Sequence, residues 1–200
     1  KLMAIILDDV QRVDRLISDI SDASRLDAEL SRADFAPVDL AAMAATVRDV
    51  YGVAGLDHDR RVVCAAAAAA WVRGDENRLV QVLRNLINNA ISFSPIGGVI
   101  TLTVATDDND VTLAVADSGP GIPAGKLDNV FERFYSERPE GEKFGTHSGL
   151  GLSISKQIIE AHGGRIWAEN RQDAEGRVVG ARLVFRLPRA AAGARRQNDG

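Results

Sequence analysis

Residues 97–117, GGVITLTVATDDNDVTLAVAD, place two stretches of alternating apolar and polar character on either side of an acidic turn at 107–110. Period-two alternation across such a turn predicts an antiparallel hairpin with one buried face. Its second strand therefore does not belong to a βαβ unit, in which each strand runs straight into a crossover helix. Further strands are expected at RIWAEN (165–170) and GARLVFRLP (180–188). Two short ones lie within RRVVCAAAAAAWVRGD (60–75), where the alanines carry no register. Helices are expected at 40–54, ended by Gly55, at 75–93, at 128–135, and from SGLGLSIS to the Gly-Gly stop at 163–164. Hairpins interleaved with long helices specify an α/β fold, a two-layer sandwich with a mixed sheet.

The ends of the chain read differently. Ile6, Val10, Val13, Ile17 and Ile20 step by four and three, the seam of a helix over 1–31 that packs on a partner helix or, alternatively, folds back on the globular part. Residues 32–39 read as a linker, with Pro37 ending extended structure and Asp39 capping the next helix. The globular unit is 40–188, and 189–200, built of Ala, Arg and Gly with a polar end, is expected to be disordered. The chain opens inside a periodic pattern, as a piece of a longer protein would. Hydrophobic residues make up 46% and charged residues 26%, as in ordinary soluble globular chains. A net charge of −4 argues against a nucleic-acid partner. With one cysteine there is neither an intrachain disulfide nor a CxxC metal site, and Cys64 reads as a small buried hydrophobe. No run reaches the ~18 apolar residues of a membrane span.

Three segments carry chemistry. In NLINNAISFSP, Asn85 and Asn89 are four apart and share a helix face, with Asn88 turned about 100° away. Asparagine is a poor residue inside a helix, and a carboxamide oxygen suits a hard cation such as Mg²⁺ bound together with phosphate oxygens. A polar helix edge is the plainer alternative. In DSGPGIP, Asp117 ends a strand and enters a turn where it can accept from an exocyclic amine such as adenine N6. Gly119 and Gly121 would let the backbone approach a ring; a capped turn is the alternative here. The dinucleotide fingerprint that this segment also matches is disfavoured by Pro120, Pro123 and the hairpin context. In GTHSGLGLSIS, Gly145, Gly149 and Gly151 precede a helix whose N-terminal N–H groups could cradle phosphate. The stretch 136–148, with Arg138, Lys143 and His147, could act as a lid that supplies cations.

Taken in order, and with FERFY between the second and third, these segments resemble the sensor histidine kinases, whose ATP-binding domain has the Bergerat (GHKL) fold. NLINNAISFSP matches the N box, DSGPGIP the G1 box, FERFY the F box and SGLGLSIS the G2 box. LISDISDASRLDAEL resembles the second helix of the dimerisation and phosphotransfer domain, and its wording, with that of 131–155, is similar to ChvG-type envelope sensor kinases. The resemblance implies that ATP, or ADP or an analogue, binds with Mg²⁺. Asn89 would hold the metal and Asn85 would support the phosphates. Asp117 would read adenine, with Gly119 and Gly121 at the base. Gly149, Leu150 and Gly151 would flank the phosphates, while Phe131, Phe134 and Tyr135 would anchor the lid. Phe93, Ile122 and Leu152 complete the implied ATP-binding set, and Arg138 and Lys143 could contact phosphate. Many family members carry lysine three residues after the second asparagine; Ser92 stands there in this chain.

The family's phosphoacceptor histidine, in an H-E-x-x-x-P setting, is absent: His58, His147 and His162 all lie elsewhere. The resemblance thus implies a catalytic part that cannot autophosphorylate alone. Its expected partners are a dimerisation-domain histidine, a response regulator and, in the full-length protein, a second copy in a homodimer. Such proteins sit in the bacterial inner membrane with this portion in the cytoplasm. A GHKL ATPase or anti-sigma-like serine kinase, and a nucleotide-binding scaffold without transfer activity, are the competing readings.

Overall fold

The computed structural model describes residues 35–54, 59–66, 69–135 and 149–190. In chain order these form β1 (Ala36–Asp39), α1 (Leu40–Val53), β2 (Arg61–Ala66), β3 (Trp71–Gly74), α2 (Glu76–Phe93), β4 (Val99–Thr106) and β5 (Asp110–Ala116). A 3₁₀ turn (Asn129–Phe131), α3 (Gly151–Ala161), β6 (Arg165–Gln172) and β7 (Val178–Pro188) follow. The main sheet has the order β2-β4-β5-β7-β6, with β2 parallel to β4 and the other pairs antiparallel. The mixed α/β sandwich is as expected.

Local chemistry places the helices. Asp75 accepts from Arg78 N–H at 3.1 Å to start α2. Asp39 Oδ1 accepts from Ala41, Ala42 and Ala70 N–H at 3.0, 3.3 and 3.0 Å, capping α1 while tying down the strand entry. Caps of this type stabilise a helix by about 1 kcal/mol. Along α2, Leu79, Val82, Leu83, Leu86, Ile87, Ala90 and Ile91 are buried at helical spacing. They share one core with Ile154 and Ile158 of α3 and with Ile100, Leu102, Leu113 and Phe185 of the sheet. The hairpin turn is closed by Asp107, whose Oδ1 accepts from Asn109 and Asp110 N–H at 2.9 and 2.8 Å.

Two expectations about the elements need correction. Residues 36–39, assigned above to a linker, form β1, which pairs antiparallel with β3 in a two-stranded sheet. Four residues are too few to show a period, and the partner strand lies more than thirty residues away. The two short strands expected across the alanine run are present as β2 and β3, in different sheets. The helix expected over 128–135 is only the 3₁₀ turn, because Glu132 is extended (φ −74°, ψ 147°) and Phe134 has φ +65°.

The tail assigned above to 189–200 is ordered at its start, where Arg189 and Ala190 are tied by their N–H groups to Asn109 O and Trp71 O, at 2.7 and 2.8 Å. The helix expected over 1–31, Gly55, and the tail from 191 onward lie outside the described residues. Among the described residues, no helix is long and apolar enough to cross a membrane.

His162 closes α3 as a knot between elements. Its Nδ1 meets Ile158 O at 2.7 Å, and its Nε2 accepts from Asp75 N–H at 3.0 Å, which assigns the neutral Nδ1–H tautomer. Phe35 stacks on the ring, with centroids 4.3 Å apart. Burial pushes its pKa down, against the pull of the Ile158 carbonyl and the Asp75 charge.

Candidate functional site

Helix α2 and the two glycine-bearing segments meet along one line. At residue 85, Asn85 Nδ2 donates to Gly151 O at 3.0 Å and to Ser155 Oγ at 3.3 Å, fastening α2 to the start of α3. Eight residues on, the Phe93 carbonyl lies against Gly119, where an added Cβ would sit 2.6 Å from it. Asn89 lies midway, half-buried, one helical turn from each contact and on the same face. Asn88 is turned away and accepts from Tyr51 Oη at 2.6 Å. The pair read from the sequence is therefore split: Asn85 is engaged in structure, and Asn89 stands between the two loops.

Asp117 is 4% exposed, and its surroundings are specific. Oδ1 accepts from Gly119 N–H at 2.8 Å and from Ala181 N–H at 2.9 Å. Its backbone N–H donates to Ala181 O at 2.9 Å, and its carbonyl accepts from Arg171 Nη1 at 2.6 Å. The carboxylate is thus oriented through one oxygen, Oδ1, by two backbone N–H groups. Burial raises the Asp117 pKa; the N–H groups of Ala181 and Gly119 and the Arg171 guanidinium oppose that rise.

The glycines of this loop are explained by packing against protein. Gly121 has φ +80°, and a Cβ there would lie 2.3 Å from Val178 Cγ1 and 2.9 Å from Asn170 Oδ1. Ile122 is held at both backbone groups by Asn170, whose Oδ1 accepts from Ile122 N–H at 2.7 Å and whose Nδ2 donates to Ile122 O at 2.8 Å. Ser118 closes the far side, donating to Val99 O at 2.8 Å.

The second glycine segment forms the start of α3. Gly149 has φ +70°, Leu150 occupies the cap position, and no side chain caps the helix. Ser153 and Ser155 turn their hydroxyls onto the carbonyls of Leu150 and Gly151, at 2.9 and 2.8 Å. An uncapped N-terminus keeps the positive end of the helix dipole available to an anion. Phe134 N–H donates to Gly149 O at 3.0 Å, joining the residues on either side of 136–148. Phe131 and Leu150 are buried, Leu152 and Ile122 pack against the core, and Phe134 is exposed. Phe93 and Tyr135 are half-buried. Arg138, Lys143, Gly145 and His147 lie outside the described residues.

Sequence reasoning passed over Asn170, Arg171, Gly180 and Ala181. Gly180 did carry a signal, because a glycine inside a strand pattern marks close backbone approach. A Cβ on Gly180 would lie 2.1 Å from Asp117 O.

For a divalent metal the donor chemistry is sparse. Among the described residues no group of three or more His, Cys, Asp or Glu side chains could hold one. Asn89 offers a single neutral oxygen, which fits Mg²⁺ only where phosphate and water supply the other ligands.

Residues 74–191 match the family model described as histidine kinase-, DNA gyrase B-, and HSP90-like ATPase. The sensor protein ChvG of Agrobacterium fabrum is 46% identical over 198 residues, covering 95% of this chain and 33% of that protein. The sensor histidine kinase WalK of Bacillus subtilis is 29% identical over 191 residues, covering 94% of this chain and 30% of that one. This chain thus spans about a third of the length of the curated relatives it matches. Among solved structures, full-length ShkA in complex with AMPPNP superposes with a TM-score of 0.74 at 28% identity, over 91% of this chain and 37% of ShkA. Histidine kinase ThkA in complex with the response regulator TrrA gives 0.73 at 26% identity, over 95% of this chain and 51% of that one.

Proposed function

The chain belongs to the histidine kinase-, DNA gyrase B- and HSP90-like ATPase family, and from that premise we propose that its site binds Mg·ATP and supplies the phosphoryl group for a histidine kinase reaction. The observation that carries this reading is the buried Asp117 carboxylate, held through Oδ1 by two backbone N–H groups, whose Oδ2 would accept from adenine N6. A hydrogen bond to a charged acceptor contributes about 1.5–3 kcal/mol, enough to favour adenine over a base with a carbonyl at that position. From there the triphosphate runs along α2 to the N-terminus of α3. Asn85 keeps that N-terminus in place through Gly151. Asn89 would hold Mg²⁺, which when bound neutralises charge on the phosphate oxygens.

The phosphoryl group then goes to an imidazole nitrogen of a histidine in a dimerisation domain. A nitrogen–phosphorus bond forms as the bond to the bridging oxygen breaks, and ADP leaves. His162 is not that acceptor: it is buried, and both its ring nitrogens are engaged. None of His58, His147 and His162 stands in an H-E-x-x-x-P setting, so this chain alone is expected not to autophosphorylate. In the whole protein, a homodimer anchored in the inner membrane with this part in the cytoplasm, the phosphoryl group passes on to an aspartate of a response regulator. The ThkA–TrrA complex is a structural relative caught with such a regulator. Arg138 and Lys143 would add phosphate contacts, in keeping with Ser92 in place of lysine.

The test supplies this chain with a separate dimerisation domain from a ChvG-type kinase and γ-labelled ATP. An acid-labile, alkali-stable label on that domain is the expected result, with none on this chain alone. Labelled serine, or no transfer to a domain that its own kinase does phosphorylate, would contradict it.

A further inference from the structure

We infer that Asn170 is a positioning residue for nucleotide selection: it sets the loop 117–122 against the sheet so that Asp117 meets adenine in register. The inference rests on the nucleotide reading above and assigns a role to a side chain that need not touch the nucleotide. Its carboxamide makes the two bonds that a neighbouring strand would make, accepting from Ile122 N–H at 2.7 Å and donating to Ile122 O at 2.8 Å. The reciprocity fixes the amide's orientation, since a flipped group would set donor against donor and acceptor against acceptor. The loop's other attachments lie at its start, where Asp117 meets Ala181 and Arg171 and Ser118 meets Val99. Pro120 and Pro123 lack N–H groups, and at Ile122, between them, Asn170 holds both backbone polar atoms.

The location of Asn170 in the sheet gives the amide its leverage. In the β6–β7 ladder Asn170 pairs with Ala181 and Arg171 with Gly180, just before the register shifts between Arg171 and Gln172. Ala181 is the residue whose N–H holds Asp117 Oδ1, and Arg171 donates to Asp117 O at 2.6 Å. Gly180 and Gly121 allow the close approach on either side. One rung of the sheet thus grips the loop at residue 117 and again at residue 122, fixing the carboxylate relative to the loop that flanks the base. Adenine presents an amine to Asp117 Oδ2 and guanine presents a carbonyl. The distinction is sharp only while the base is held in register with that oxygen.

The experiment uses the full chain with Asn170→Ala and Asn170→Asp, titrated with ATP and GTP in magnesium, together with hydrogen exchange at the Ile122 amide in nucleotide-free protein. For Asn170→Ala we expect ATP affinity to fall about ten-fold, the ATP-to-GTP preference to shrink by a similar factor, and Ile122 exchange to accelerate. Asn170→Asp keeps the acceptor for Ile122 N–H and should fall between wild type and alanine in all three. An alanine variant that melts like wild type with its nucleotide preference unchanged would overturn the inference. So would equal losses for both nucleotides, which a merely structural role would give. If the alanine variant does not fold, an aspartate variant with wild-type preference overturns it instead. Should wild-type protein bind neither nucleotide, the nucleotide reading fails, while unprotected Ile122 in the alanine variant still reports the clamp.

Discussion

The two ends of the proposed nucleotide path are built differently. At the base end, Asp117 and the loop after it are held by the N–H groups of Gly119 and Ala181, by the Asn170 amide and by the Arg171 guanidinium. At the phosphate end, α3 begins without a side-chain cap, and it is held by Asn85 on one side and by the Phe134–Gly149 bond on the other. The base end spends its hydrogen bonds on orienting a single carboxylate oxygen, as selectivity requires, because a fixed acceptor discriminates between an amine and a carbonyl. The phosphate end begins its helix without a side-chain cap, as suits a site for a chemically uniform and highly charged group. In the proposed site, discrimination would thus belong to the sheet and charge binding to the helix.

Substitutions can break this division or sharpen it. The largest effect is expected from Asp117→Asn, which keeps an acceptor for Gly119 and Ala181 N–H but turns an amine toward adenine. ATP affinity measured by calorimetry should fall by about 10- to 150-fold. Nucleotide-free stability should hold or rise, because burial raises the Asp117 pKa. A carboxyl whose folded pKa is raised favours the fold at low pH and loses that contribution as pH climbs through the folded value. The melting temperature of wild type relative to the asparagine variant should accordingly decline as pH rises above the ordinary carboxylate range.

Gly180→Ala comes next. It drives a methyl group into the Asp117 carbonyl at φ +150°, and should cost about 1–3 kcal/mol in urea unfolding. Gly149→Ala acts at the other end, where φ is +70° and the new Cβ would sit 3.0 Å from Phe134 backbone atoms. It should cost about 1–2 kcal/mol of stability and weaken ATP several-fold while leaving adenosine affinity unchanged. Equal loss for adenosine would erase the distinction between the two ends. The smallest effect concerns His162, whose depressed pKa makes its contribution complete above the ordinary histidine range. Stability should decline as pH falls below that range and the buried ring must take up a proton, and His162→Gln should flatten the profile.

Much of this was legible in the sequence. The 99–116 hairpin and α2 have long, unbroken periods, and Asp39 and Asp75 cap helices as their type suggests. Asp117 stood out because a carboxylate entering a Gly-Pro-Gly turn needs a reason. Gly119 and Gly121 are expected to let the backbone approach a ring, and they also make room for the Phe93 carbonyl and for Val178 and Asn170, neighbours that the sequence does not reveal. Asn170 was invisible, since a lone amide at the end of a strand has no spacing partner in the chain, and its bonds to Ile122 span 48 residues. Strand β1 was missed for the same reason, because its identity comes from pairing with β3. Local rules reveal what a segment is, while the rung that joins 117, 122, 170 and 181 exists only once the sheet has formed.

The most direct measurement is an amide NMR titration of the wild-type chain with Mg·ADP. One saturable step should move the signals of Gly119, Ile122 and Ala181 together with those of Gly151 and Leu152, with a single dissociation constant for all five. Movement at α3 alone, with the loop around Asp117 silent, would contradict a site in which one nucleotide spans both ends.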